Sequence, residues 1–155
     1  MWIPLTASRL RSRGQIQETV AAIRRYDRRH LITVGLIWVS TVNPEAWSGF
    51  PPKEIAPEVA FLAVHVYPDK RKMNVALDSP RRYQVGKPVV VEETFPMKCS
   101  PAERCGFLES SRGLAEGWLG QYWSLSPKDI EASGDFVSKK FRGQFEALQS
   151  LNPNH

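Results

Sequence analysis

Two adjacent carboxylates, Glu92 and Glu93, stand where a run of three valines ends. Val89-Val90-Val91 follows a Gly86-Lys87-Pro88 entry, and Thr94-Phe95-Pro96 closes the segment. An uninterrupted β-branched run of this length reads as a strand buried on both faces, as in parallel sheets. Acids at such a position cost free energy to bury, and the carboxyl ends of parallel strands are where α/β enzymes gather catalytic groups. A carboxylate there suits nucleophilic attack or proton transfer; the plain alternative is that Glu92 and Glu93 solvate the strand exit. A second polar pair, His65 and Tyr67, ends the apolar run that begins at Val59. Side chains two apart on a strand share a face, so an imidazole and a phenol point the same way, although a hydrogen-bonded strand-end histidine would look the same.

The elements that must position these groups alternate in type. Ile16, Val20 and Ile23 fall at helical spacing between Gln15 and Tyr26, an amphipathic helix over an apolar partner, while residues 1–12 show no periodic face and read as irregular. Leu31–Val39 and Val59–Tyr67 are apolar runs of strand length, separated by a long loop, Ser40–Pro57, rich in Pro, Trp and Gly. A helical segment over 71–83, broken at Pro80, leads to the valine strand. Ser100-Pro101-Ala102-Glu103 is a helix start with a capping box, and that helix is expected to reach Glu116 and end at Gly117. Trp118–Trp123 reads as a fourth strand, and Val137, Phe141, Phe145 and Leu148 form the stripe of a last helix over 136–148. Helices between successive strands make the strands parallel.

Composition narrows the classes. The chain has 155 residues, 42% hydrophobic and 24% charged, the balance of a folded globular domain. No stretch of 18 apolar residues occurs, so the sequence contains no membrane-spanning helix. Met1-Trp2-Ile3-Pro4 lacks the pattern of a secretory signal. The formal net charge is +5, with Arg9, Arg11, Arg13, Arg24, Arg25, Arg28 and Arg29 clustered early; without aromatic or glycine patterning this reads as the solvated face of an outer helix more than as a nucleic-acid surface. Cys99 and Cys105 have no metal-ligand spacing and are left open as a pair or as thiols. Nothing in the sequence calls for a cofactor.

Asp27-Arg28-Arg29-His30-Leu31-Ile32-Thr33-Val34-Gly35, His65-Val66-Tyr67-Pro68, Gly86-Lys87-Pro88 through Glu93, and Trp118 through Trp123, in that order, resemble the second half of glycoside hydrolase family 5, which includes cellulases and mannanases. The resemblance runs from about Gln15 onward. It implies an α/β fold, a partial (β/α)8 (TIM) barrel comprising strands five to eight with their helices, and a single partial barrel domain over 1–155 whose other half lies ahead of Met1. It implies a retaining hydrolase of β-linked glycans in which Glu93 is the nucleophile. Thr94-Phe95 replaces the family's aromatic-glycine pair, so Glu92 remains the alternative, and strand alternation should bring only one of them into the barrel mouth. His65 and Tyr67 match the family's His-any-Tyr, which contacts sugar and nucleophile; Trp123 matches a tryptophan that stacks on a sugar ring. Trp38, at the end of the first strand, could line the cleft or sit in the core.

A retaining glycosidase needs a second carboxyl group as acid/base, which the family places in an Asn-Glu-Pro motif on strand four. No Asn-Glu-Pro occurs in the sequence; Asn43-Pro44-Glu45 has another order and follows strand five. The resemblance therefore implies a chain inactive alone, whose partners are an oligo- or polysaccharide and either a complementary half-barrel or a second copy; the composition argues for no membrane and against nucleic acid as the favoured partner. Relatives of the family are often secreted, so localisation stays open. The competing reading is a non-catalytic α/β module that binds carbohydrate or an anionic partner.

Overall fold

A computed structural model describes residues 5–37, 50–120 and 126–151. In chain order the elements are α1 (Leu5–Arg24), β1 (Gly35–Ile37), α2 (Pro52–Ile55) running into a 3-10 turn (Ala56–Glu58), β2 (Leu62–His65), α3 (Met73–Arg82), β3 (Val89–Thr94), α4 (Pro101–Ser110), β4 (Gly117–Gly120), α5 (Pro127–Ala132) and α6 (Phe136–Leu151). The strands form one sheet in the order β1-β2-β3-β4, every pair parallel. The fold is therefore α/β, a four-stranded parallel sheet with its helices, as in part of a (β/α)8 barrel.

One face of the sheet makes the core. Leu36 of β1, Leu62 and Val64 of β2, and Val89 and Val91 of β3 cluster with Ile16 of α1, Ala76 of α3, and Phe107 and Leu108 of α4. The residues between them in sequence point the other way: Gly35 and Ile37, Ala63 and His65, Val90 and Glu92. On that side Ile37 of β1 is 50% exposed, as is Leu119 of β4 at 56%. Among the described residues β1 and β4 are the sheet's edges.

Several boundaries differ from the sequence reading for identifiable reasons. The irregular start expected over 1–12 is helical from Leu5; Leu, Ala and Arg are good helix formers, so propensity carries the helix without an apolar stripe. The Ser40–Pro57 loop contains, in its described part, α2 and the 3-10 turn, which Pro52 opens at a first-turn position. Pro80 does not break α3, which continues to Arg82; it lies so near the end that few intrahelical bonds remain to be lost.

The helix expected to reach Glu116 stops at Ser110. The buried Ser111 hydroxyl donates to Leu108 O at 3.0 Å and accepts from Trp118 Nε1 at 2.9 Å. Gly113 (φ +81°) then supplies the reversal, and Gly117, expected as the helix stop, opens β4 opposite Val90. α5 was not expected, although Ser126-Pro127-Lys128-Asp129 repeats the Ser-Pro-x-acid pattern of Ser100-Pro101-Ala102-Glu103. Both serines accept a hydrogen bond from the backbone N–H three residues on, and both acids reach back to the serine N–H. In α6 the expected stripe is partial: Phe141 meets Phe95 with ring centroids 4.7 Å apart, but Val137 is 55% exposed, while Ser138 and Gln144 are buried.

Cys99 and Cys105 are both buried and free. Burial, followed by the nearby Glu103 carboxylate, pushes the Cys99 thiol up to about 11, so it is neutral near pH 7. The early arginines lie mostly at the surface: Arg25, Arg28 and Arg29 are exposed, and Arg13 pairs with Glu58 at 3.3 Å. Among the described residues no helix is long and apolar enough to cross a membrane.

The two capping boxes are expected to differ in weight. Ser100→Ala should cost about 1 kcal/mol in urea unfolding, because α4 carries Phe107 and Leu108 into the core. Ser126→Ala should cost less, because Ile130 is the buried apolar residue that α5 supplies. Equal losses would show that α5 is as tightly coupled to the core as α4. Exposed apolar residues on two edge strands favour association, so size-exclusion chromatography with light scattering should give a mass above the 17.6 kDa of one chain. A sharp monomer with cooperative unfolding would contradict that expectation.

Candidate active site

β2 and β3 pair in register from Leu62 opposite Val89 to Val64 opposite Val91, and then His65 falls opposite Glu93. One residue of β3, Glu92, is left over. Such an irregularity bends the strand and re-aims the side chains beside it, and here it brings both carboxylates to one imidazole. His65 Nε2 lies 3.4 Å from Glu92 Oε2 and His65 Nδ1 lies 3.5 Å from Glu93 Oε2. The expectation that alternation would bring only one acid to the site is corrected: period two holds through Val91 and fails at the extra residue.

All three side chains are partly open, 28% for His65, 34% for Glu92 and 28% for Glu93. The Oε2 atom of Glu92 is nevertheless buried and has no hydrogen-bond partner among the described residues. It is close enough to His65 for charge attraction but not aligned for a hydrogen bond. The backbone holds the cluster from below, with Val66 N donating to Glu93 O at 2.9 Å.

Gly35 makes room for the cluster. A Cβ at that position would lie 2.7 Å from His65 Nε2 and 2.8 Å from Glu92 Oε2, closer than carbon approaches nitrogen or oxygen without displacing one of them. This glycine was not singled out from the sequence, although a glycine inside a strand run often marks close approach of another group. Glu92, held there as the alternative to Glu93, stands beside it at the same histidine.

Tyr67, two residues beyond His65, lines a cavity of about 310 Å³ with Asp69, Lys72, Ala76, Met97 and Lys98. Trp38 and Trp123 lie outside the described residues. Farther along the same end of the sheet, Gly120 faces Gln144 Nε2 and Arg104 Nη2, which a Cβ would meet at 3.2 and 3.6 Å. Arg104 is 1% exposed, its Nε has no partner among the described residues, and burial pushes its pKa down. Among the described residues no three His, Cys, Asp or Glu side chains are grouped to hold a metal ion.

Chemically, the Glu92–His65–Glu93 group offers two carboxylates and one imidazole within a few ångströms, at the carboxyl ends of neighbouring parallel strands. Either acid can accept a proton or attack an electrophilic carbon, and a protonated imidazole between them would offset their mutual repulsion. Gly35→Ala should disturb this group more than the fold, because both obstructing atoms are tips of rotatable side chains. We expect a loss at the low end of the about 1–3 kcal/mol seen for overpacking, with a clear change in the NMR signals of the His65 ring. Adding Glu92→Ala should recover part of that loss; no recovery would place the strain at His65, the nearer of the two atoms. Set against known proteins, no family model matches this chain, and no solved structure matches it. Over 67 residues the chain is 39% identical to mannan endo-1,4-beta-mannosidase 2 of Arabidopsis thaliana, a match that spans 35% of this chain and 16% of that protein's length.

Proposed function

We propose that this chain carries the nucleophile half of a retaining glycoside hydrolase site and belongs to strands five to eight of a family 5 barrel. The observation that carries the reading is the pairing of Glu93 with His65 across the carboxyl ends of β3 and β2, in a chain partly similar to a mannan endo-1,4-beta-mannosidase. The substrate class is a β-linked glycan, with mannan the first candidate.

In this reading the Glu93 carboxylate attacks the anomeric carbon as the glycosidic C–O bond breaks, forming a glycosyl ester that water later hydrolyses. His65 contacts Glu93 and the sugar ring, and Tyr67 borders the same mouth. Trp38 and Trp123 would stack on sugar rings. The acid that protonates the leaving oxygen comes from a strand-four segment bearing Asn-Glu-Pro, which this sequence lacks and a complementary half-barrel would supply. General acid help is typically worth about 10²–10⁴ in rate, so the chain by itself is expected to leave mannan intact.

An activated aryl glycoside bypasses that need, because its leaving group departs without protonation. We expect 2,4-dinitrophenyl β-mannoside to be cleaved slowly by the chain, with loss of that activity in Glu93→Ala and retention of most of it in Glu92→Ala. Cleavage undiminished in Glu93→Ala would overturn the nucleophile assignment, and loss in Glu92→Ala alone would transfer the role to the neighbouring acid. Joining an upstream half with the Asn-Glu-Pro strand should restore polysaccharide hydrolysis.

A further inference from the structure

The cavity at Tyr67 has a chemistry that a site for neutral sugar does not require. Lys72 and Lys98 both line it, and Asp69 is the acid among its lining residues. Lys70 and Arg71 stand next to it in the chain, and all four cations are exposed. The charged lining residues Lys72, Lys98 and Asp69 sum to +1, with Lys70, which interacts with the Glu103 carboxylate, and Arg71 beside them in the chain. No ion pair forms to the side chains of Lys70, Arg71, Lys72 or Lys98 among the described residues.

The backbone holds the two lining lysines on separate walls. Asp69 and Lys98 form a parallel bridge between the loop after β2 and the loop after β3, and Lys70 N donates to Lys98 O at 3.2 Å. Asp69 Oδ1 accepts from Arg71 N at 2.9 Å and Asp69 O accepts from Lys72 N at 2.8 Å, which fixes Lys72 immediately before α3. The cationic ends belong to long side chains, but their roots are set by a closed hydrogen-bonded turn. A site ordered before binding forfeits less on association.

The remaining lining suits a sugar ring. Tyr67 offers an amphipathic aromatic face, and Met97, 62% exposed, adds an apolar surface at the rim. A volume of about 310 Å³ is at the small end of ligand pockets, roughly 300–1,000 Å³, and matches a compact ligand better than a long chain. Tyr67 follows His65 by two residues, just past the end of β2, so the cavity lies beyond the same strand end that carries His65.

We propose that this cavity is a subsite for a uronic acid residue of a β-linked glycan, its carboxylate taken by Lys72 and Lys98 and its ring packed on Tyr67. The assignment rests on the glycosidase reading above for the glycan class and on the cavity's own charge for the acid. The glycan favoured over plain mannan is then one that carries uronic acid residues.

The test compares two tetramers with the same backbone, β-1,4-mannotetraose and β-1,4-tetramannuronate, by calorimetric titration of the 155-residue chain at low salt. Tetramannuronate should bind about tenfold tighter, the scale of two partly exposed ion pairs. Lys72→Ala/Lys98→Ala should erase the preference without weakening mannotetraose, and Lys72→Arg/Lys98→Arg should keep it. Equal binding of the two tetramers, or binding of neither, overturns the subsite. A DNA duplex that binds as tightly and is lost in the same alanine variant would show a generic basic patch and also overturns it. Displacement of the tetramer by equimolar inorganic phosphate does the same, because the site would then read only a small anion. The two readings separate through Glu93→Ala. An acid preference that persists while aryl glycoside cleavage is absent from the chain leaves the subsite standing and removes the glycosidase. Loss of cleavage in Glu93→Ala with no acid preference does the reverse.

Discussion

The site depends on the offset between β2 and β3. Their backbones pair regularly for three positions, and then His65 meets Glu93 with Glu92 unmatched. Without that extra residue, period-two alternation would send one carboxylate into the helical layer, where an unpaired acid is costly. With it, both acids stay on the open face and share one imidazole. Gly35 on β1 completes the arrangement by leaving out the one atom that would fill the space. Three neighbouring strands thus contribute one feature each: a gap, a histidine and a pair of acids.

The same face explains why polar groups can collect there. Parallel strands with crossover helices bury the helical side first, and the core cluster draws on that side of β1, β2 and β3. The opposite side keeps Ile37 and Leu119 half exposed at the two edges and His65, Glu92 and Glu93 partly open between them. The association expected of the chain rests on these exposed edge residues, while Ala63 on the same side of β2 is fully buried.

Around the mouth, loop anchoring matters more than loop sequence. The Asp69–Lys98 bridge ties two βα loops together, and Lys140 Nζ donates to Pro96 O at 3.0 Å, attaching the second loop to α6. At the other end of α4, Ser111 joins the helix to β4 through Trp118. These tertiary bonds hold the segments after β2 and β3 in place without adding length to either strand.

Local signals made the Ser100 helix start and the presence of four strands legible. They did not show the start of α1 at Leu5 nor the strand bounds, Gly35–Ile37 and Leu62–His65 within longer apolar runs. The Ser100 capping box, the three valines and the apolar runs at Leu31 and Val59 needed no distant partner to be legible, because capping and periodicity are properties of neighbouring residues. Ser126 carried the same signal and was passed over. Helix ends were less legible: the stop at Ser111 depends on Trp118, and Gly117 belongs to a strand through its partner Val90. In the site, His65, Tyr67, Glu92 and Glu93 were visible as chemistry at a strand end, and the order of elements placed β2 beside β3. What only the tertiary structure decided was that both acids turn to the same histidine and that Gly35 makes the space. An extra residue in a ladder is defined by the strand opposite, and a missing Cβ matters only when another strand's side chains occupy its place.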